Sequence, residues 1–107
     1  MAALLTDAEI RDGLAQLAGW QRADDRAGGV PAIERTVQAG SFPGAVALVG
    51  RVADAAEAAG HHPDIDIRYS AVTLRLTTHS EGGLTAADLE MAAAIDTIAA
   101  AAAAGRD

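Results

Sequence analysis

Asp64-Ile65-Asp66-Ile67-Arg68-Tyr69-Ser70-Ala71-Val72-Thr73-Leu74-Arg75-Leu76 is the stretch that decides how this chain folds. Ile65, Ile67 and Tyr69 alternate with Asp64, Asp66 and Arg68. Beyond them, Val72, Leu74 and Leu76 alternate with Thr73, Arg75 and Thr77. Alternation of this kind marks a strand with one buried face. The apolar positions are odd-numbered before Ser70-Ala71 and even-numbered after it, a parity switch that a tight hairpin with a two-residue loop produces. That register sets Tyr69 opposite Val72, Ile67 opposite Leu74 and Ile65 opposite Leu76 on the core face. On the other face it sets Asp66 against Arg75, a favourable cross-strand pair. Extended outward, it sets His62 against His79.

Outside the hairpin the chain reads as short elements. Thr6-Asp7-Ala8-Glu9 has the form of a capping box, with Thr6 as N-cap and Glu9 three residues on. Ile10, Leu14 and Leu17 follow at helical spacing, and Gly19 can stop that helix. Trp20-Gln21-Arg22 predicts a short strand, residues 24–29 a turn, and residues 32–38 a second strand. A helix is predicted over Phe42–Ala59, with Val46, Val49, Val52, Ala53 and Ala56 as its apolar stripe and Gly60 closing it. The last helix opens at Leu84-Thr85, with Thr85 as N-cap and Asp88 in its first turn, and buries Leu89, Ala92, Ile95, Ile98 and Ala99. Trp20 and Tyr69 are expected in the core. No repeat or linker divides the chain, so residues 1–107 are expected to form a single domain.

Composition limits what such a chain can do. Of its 107 residues 50% are hydrophobic, but Trp20, Phe42 and Tyr69 are the only aromatics. A small aliphatic core on a short chain is marginal alone, so a homo-oligomer is expected. The net charge is −7, and all eight basic residues are arginines scattered along the chain. This balance argues against a nucleic-acid partner. The absence of cysteine excludes disulfides and thiolate zinc sites. The first residues lack a basic stretch followed by a long apolar one, and Asp96 and Thr97 interrupt the alanine-rich tail over 92–104. No signal peptide, transmembrane segment or membrane partner is read, and a cytoplasmic protein is expected.

All three histidines fall near the hairpin: His61 and His62 side by side, and His79. Imidazole gives and takes protons near neutral pH. Three readings compete for the cluster: solvated surface groups, ligands of a metal, or acid–base catalysts. Adjacent residues of an extended segment point to opposite sides, which works against His61 and His62 sharing one ion. One imidazolium donating and one neutral imidazole accepting suits a metal-free dehydration.

At these residues the chain resembles the pterin-4a-carbinolamine dehydratase family. The family pattern runs here as the acid Glu57, three residues, His61-His62-Pro63, five residues, the aromatic Tyr69, nine residues, His79, eight residues and Asp88. Gly19-Trp20, Ile33-Glu34-Arg35, Arg51-Val52-Ala53 and Gly83-Leu84-Thr85 also fit, so the similarity spans about residues 19–96. The chain departs from the aromatics common in the family at Thr36, Val37 and Ile65, which thins the aromatic packing, from a common Asn at Ser70 and from a common acid at Ser80.

The resemblance implies an α+β fold, with a four-stranded antiparallel sheet and three helices packed on one face. The implied activity is dehydration of 4a-hydroxytetrahydropterin (4a-hydroxytetrahydrobiopterin) to quinonoid dihydropterin and water, which recycles the cofactor of aromatic amino acid hydroxylases. By resemblance His61, His62 and His79 line the pterin site. The hairpin register makes His62 and His79 the expected acid–base pair. Gly60, Thr77 and Thr78 are expected to contact the pterin. Glu57 reads equally as an orienter of an imidazole or as a solvated charge. Pro63 is expected to fix the chain leaving the histidines, and Asp88 to serve chiefly as a helix cap. No metal or cofactor is expected, and the assembly is expected to be a homodimer or homotetramer. The alternative is a non-catalytic pterin-binding or dimerisation and assembly module of the same fold. The intact histidine set favours catalysis.

Overall fold

The computed structural model of the chain describes residues 3–24 and 29–105. The elements run α1 (Asp7–Leu14), β1 (Gln21–Arg22), β2 (Ile33–Gln38), α2 (Phe42–Ala59), β3 (Asp64–Arg68), β4 (Ala71–Leu76), a 3-10 turn (His79–Glu81) and α3 (Ala86–Ala104). The strands form one sheet in the order β1-β2-β4-β3, antiparallel throughout. This is the four-stranded α+β architecture with three helices that the resemblance implied.

The centre of the sheet is the pairing of β2 with β4, which sets Ile33 opposite Leu76 and Val37 opposite Val72. Ile33, Val72, Leu74 and Leu76 are buried there with Leu48 and Val52 of α2 and Met91, Ala92 and Ile95 of α3. Burying each of the larger of these side chains contributes about 1.5–3 kcal/mol. The other face of the same strands is polar. Glu34 faces Arg75 across the ladder, and the Thr36 hydroxyl meets that of Thr73 at 2.8 Å. Trp20 is buried as expected.

Helix starts follow the sequence closely, because capping is local chemistry. The Thr6 hydroxyl accepts the Glu9 N–H at 3.1 Å, and the Glu9 carboxylate accepts the Thr6 N–H at 2.8 Å. Helix α1 nevertheless ends at Leu14, well before Gly19, and Leu17 is buried from the turns that follow. Part of the turn read over 24–29 lies outside the described residues, as do Arg26 and Arg106. At its described ends the Gly29 N–H reaches the Asp24 carbonyl at 2.9 Å.

The hairpin forms, but two residues away from the expected register. Ile67 faces Val72, Ile65 faces Leu74 and Asp64 faces Arg75. The loop is therefore Tyr69-Ser70. Asp66 faces Thr73 instead of Arg75, and the ladder sets no pairing of His62 with His79. A slip of two leaves every side chain on its face, so alternation alone cannot distinguish the two registers. The turn distinguishes them: Tyr69 takes a left-handed φ of 53°, and Ser70 offers its carbonyl to the Ala39 N–H at 2.8 Å. Tyr69 is consequently 76% exposed and not a core residue. All five residues of β3 are exposed as well, because β3 is an edge strand and α2 and α3 pack over β4.

The buried stripe of α2 is also rotated from expectation. Ala45, Leu48, Val52 and Ala56 face the core, while Val46 is 50% exposed and Ala53 is exposed. Val49 is half-buried. Valine, leucine and alanine occur on several sides of this helix, so periodicity admits two stripes, and the sheet takes the one that centres Leu48. On α3, Ala92, Ile95 and Ala99 are buried as expected and Met91 joins them, with Leu89 and Ile98 at the margin.

Leu48→Ala is expected to lower unfolding free energy by about 2–5 kcal/mol in chemical denaturation. Val46→Ala should stay within about 0.5 kcal/mol of wild type. The opposite order would restore the stripe expected from periodicity.

Arg22 grips Asp24 with two hydrogen bonds, at 2.7 and 3.2 Å, and Asp24 also accepts the Ala32 N–H at 3.0 Å. The arginine bonds hold the Asp24 carboxyl below the usual carboxylate range and raise Arg22 in turn. A depressed carboxyl stabilises the fold above its unfolded pKa, about 3.9, and loses that contribution as pH falls through the folded value. The stability gap between wild type and Asp24→Asn should therefore be constant near neutrality and shrink below about pH 4. Urea midpoints measured from pH 7 to pH 3 check this, and a gap that persists in acid would contradict it.

Candidate active site

Two chain reversals carry the histidines. At the end of α2, Gly60 adopts the left-handed conformation with φ 66°, which a residue with a Cβ resists. The Gly60 N–H bonds the Glu57 carbonyl at 3.3 Å and the His61 N–H bonds the Ala56 carbonyl at 3.1 Å, a Schellman closure. The chain turns sharply there and presents His61 and His62 beyond the helix. Pro63 then leads it into β3 with a fixed φ. The second reversal follows β4. Thr78 and Gly83 exchange backbone hydrogen bonds at 2.9 and 3.4 Å, and the short loop between them starts with His79.

Asp88 joins the two reversals. It sits in the first turn of α3 with no solvent exposure. Its Oδ2 accepts the Thr85 backbone N–H at 2.9 Å, which completes the capping box, and the Thr78 hydroxyl at 2.8 Å. Its Oδ1 meets His61 Nε2 at 2.6 Å. The cap was legible in the sequence; the bond to His61 was not, because 27 positions separate the two residues. Thr85 also had no expected place in the site, yet its hydroxyl meets that of Thr78 at 2.8 Å.

His62 has a different partner. Its Nε2 lies 2.7 Å from Glu57 Oε1, so Glu57 does contact an imidazole. Both side chains are largely in water, 62% and 81% exposed, whereas that of His61 is 16% exposed. Solvent screens the Glu57–His62 pair in a way it cannot screen the buried one. His79 is exposed at the start of the 3-10 turn. His79 is tied to this network only through its chain neighbour Thr78, which bonds the same carboxylate as His61. Thr77 is buried, and its hydroxyl donates to the Pro31 carbonyl at 2.7 Å.

The result is two imidazoles tied at Nε2 to separate carboxylates, with Nδ1 left for other partners, and a third imidazole on an anchored loop. Among the described residues no three His, Cys, Asp or Glu side chains converge to hold a metal. A cleft of about 130 Å³ between α2 and α3 opens beside His61, lined by Ala55, Ala59, Ala87, Glu90, Met91 and Ala94. A larger groove, about 370 Å³, lies along β2 and the C-terminal half of α3, and no histidine lines it. No helix among the described residues is long and apolar enough to cross a membrane.

Known proteins match this chain over nearly its whole length. The family model for pterin 4 alpha carbinolamine dehydratase matches residues 3–98. A protein of Nocardia farcinica named "Putative pterin-4-alpha-carbinolamine dehydratase" is 55% identical over 96 residues, covering 90% of this chain and 95% of its own. A protein of the same name from Roseiflexus castenholzii is 55% identical over 98 residues, covering 92% of this chain and 99% of its own. Among solved structures, a transcriptional coactivator/pterin dehydratase from Brucella melitensis superposes with a TM-score of 0.83 at 36% identity, over 91% of this chain and 99% of that one. A pterin dehydratase-like RuBisCO assembly factor of the alpha-carboxysome superposes with a TM-score of 0.61 at 24% identity, over 76% of this chain and 89% of that one, and shares the fold.

Proposed function

The chain belongs to the pterin 4 alpha carbinolamine dehydratase family, and we propose that it is a hydro-lyase acting on 4a-hydroxytetrahydropterin through acid–base catalysis by His61, His62 and His79. The reaction breaks the C4a–O bond and removes the proton on N5. One imidazolium protonates the departing oxygen, which leaves as water with the electron pair of that bond. One neutral imidazole takes the N5 proton, and the freed pair forms the C4a–N5 double bond of the quinonoid dihydropterin. Protons balance, since one histidine gains what another gives. The product is the form from which the tetrahydropterin used by aromatic amino acid hydroxylases is regenerated. The proposed setting is the cytoplasm.

The observation that carries this reading is the shared carboxylate. Asp88 holds His61 directly and the His79 loop through Thr78. Glu57 adds a second, looser imidazole–carboxylate pair at His62. Gly60, Thr77 and Thr78 flank the histidines in the chain and are assigned to the pterin on the strength of the family. The Thr77 and Thr78 hydroxyls are already engaged, as is the Thr78 backbone, so a pterin contact from Thr78 has to share one of these groups.

Dehydration of freshly generated 4a-hydroxytetrahydropterin tests the assignment. Wild type should exceed the buffer rate, and His61→Ala, His62→Ala and His79→Ala should each lose roughly 10²–10⁴-fold. A wild type no faster than buffer would favour the non-catalytic binding or assembly module. Full rates in all three variants would remove the histidines from the chemistry.

The proposed assembly is a homo-oligomer. Support comes from the exposed edge β3, which carries Ile65 and Ile67 with Tyr69 beside them, and from the self-complementary order of its charges. A second copy paired antiparallel about Ile67 would set each Asp66 opposite an Arg68 and each Ile65 against a Tyr69. Light scattering should show at least a dimer for wild type, and Ile67→Lys should shift it toward monomer with its circular dichroism retained. A monomeric wild type would contradict this.

A further inference from the structure

Asp88 performs two tasks with two oxygens. At Oδ2 it receives the Thr85 backbone N–H, which can only donate, and the Thr78 hydroxyl. At Oδ1, 2.6 Å away, stands His61 Nε2. A helix N-terminus is a favourable place for carboxylate charge, and an ionised carboxylate only accepts. Nε2 must then carry the ring hydrogen, and in the neutral imidazole the lone pair falls on Nδ1.

Resting on the dehydratase reading above, we propose that Asp88 is a positioning residue for the reaction: it selects the Nε2–H tautomer of His61, so that Nδ1 is the nitrogen that exchanges protons with the pterin. The bond is sheltered enough to enforce the choice, with Asp88 unexposed and His61 at 16%. Glu57 has no such hold on His62, because water competes at both groups. The helix cap and the histidine tautomer are thus set by one side chain.

Asparagine is the discriminating substitution, since it keeps the shape but offers one oxygen and one NH₂. Its oxygen must face the Thr85 N–H, because an NH₂ there would oppose another donor. The NH₂ then faces His61 and needs an acceptor at Nε2, which moves the ring hydrogen to Nδ1. The cap is retained and the tautomer is reversed.

Nitrogen-15 NMR of the imidazoles in the full chain, without substrate, reads this directly. Wild-type His61 should carry its hydrogen on Nε2 in the neutral form. In Asp88→Asn the hydrogen should move to Nδ1 with circular dichroism unchanged, and kcat should fall roughly 10²–10⁴-fold with a smaller change in KM. Thr85→Ala weakens the same helix end but leaves Oδ1 facing His61. It should lower the thermal midpoint and keep the wild-type tautomer. A wild type with the hydrogen on Nδ1 overturns the proposal whether or not Asp88→Asn folds. Retention of Nε2–H in Asp88→Asn overturns it too, as does a reversal in Thr85→Ala, which would reduce Asp88 to its part in the helix end. An inactive wild type with the Nε2–H tautomer overturns the dehydratase reading alone, and an active one with the Nδ1–H tautomer overturns the positioning role alone.

Discussion

The buried carboxylate of Asp88 is the constraint on which the candidate site depends. Three segments distant in the chain, the start of α3, the end of β4 and the reversal after α2, each place a donor on it. The carboxylate itself has no exposure, so these donors stand in for water around it. Buried polar networks of this sort are costly when half satisfied and rigid when complete. Here every contact is made, so the network fixes where one histidine stands and where the loop bearing another begins.

A second tie holds the middle of α3. Asp96 of α3 accepts the Trp20 indole N–H at 2.7 Å and bonds Arg35 of β2 at 2.5 Å. The two aspartates, eight positions apart, tie the first turn of α3 to the loops bearing the histidines and the middle of α3 to β2 and Trp20. The core between them is aliphatic and rich in alanine, and gives little directional information of its own. Polar anchors therefore add to the packing of Met91, Ala92, Ile95 and Ala99 in placing α3. The asymmetry of the site follows from the same arrangement. His61 lies against the anchored helix and is shielded, while His62, one residue on, points away and meets only a solvated glutamate. Two adjacent histidines thereby acquire different surroundings, which a reaction that both gives and takes a proton can use.

Local chemistry was legible in the sequence and long-range choice was not. Both capping boxes, the span of α2 and its closure by Gly60 are decided within a few residues, and all are present as read. The apolar alternation predicted two strands and a hairpin correctly, but two registers satisfy it equally. The structure takes the one with Tyr69 in the turn, and the expected facing of His62 and His79 goes with the other. The stripe of α2 came out only in part, with Val52 and Ala56 buried but Val46 and Ala53 exposed, for the same kind of reason. A helix apolar on several sides carries no unique address, and only the sheet beneath it selects Leu48 over Val46.

The sequence by itself determined which elements exist, through period and capping, and it holds the motif from Glu57 to Asp88 to which the proposed chemistry is assigned. Tertiary structure alone decided how those residues meet. It brings His61 and Thr78 to one carboxylate across gaps of 27 and 10 positions, and leaves Tyr69 outside the core. The physical reason is that pattern records which face of an element is buried, whereas pairing across the fold depends on how elements slide and rotate against one another. Such movements cost a repeating apolar pattern almost nothing until a buried polar group demands a particular partner.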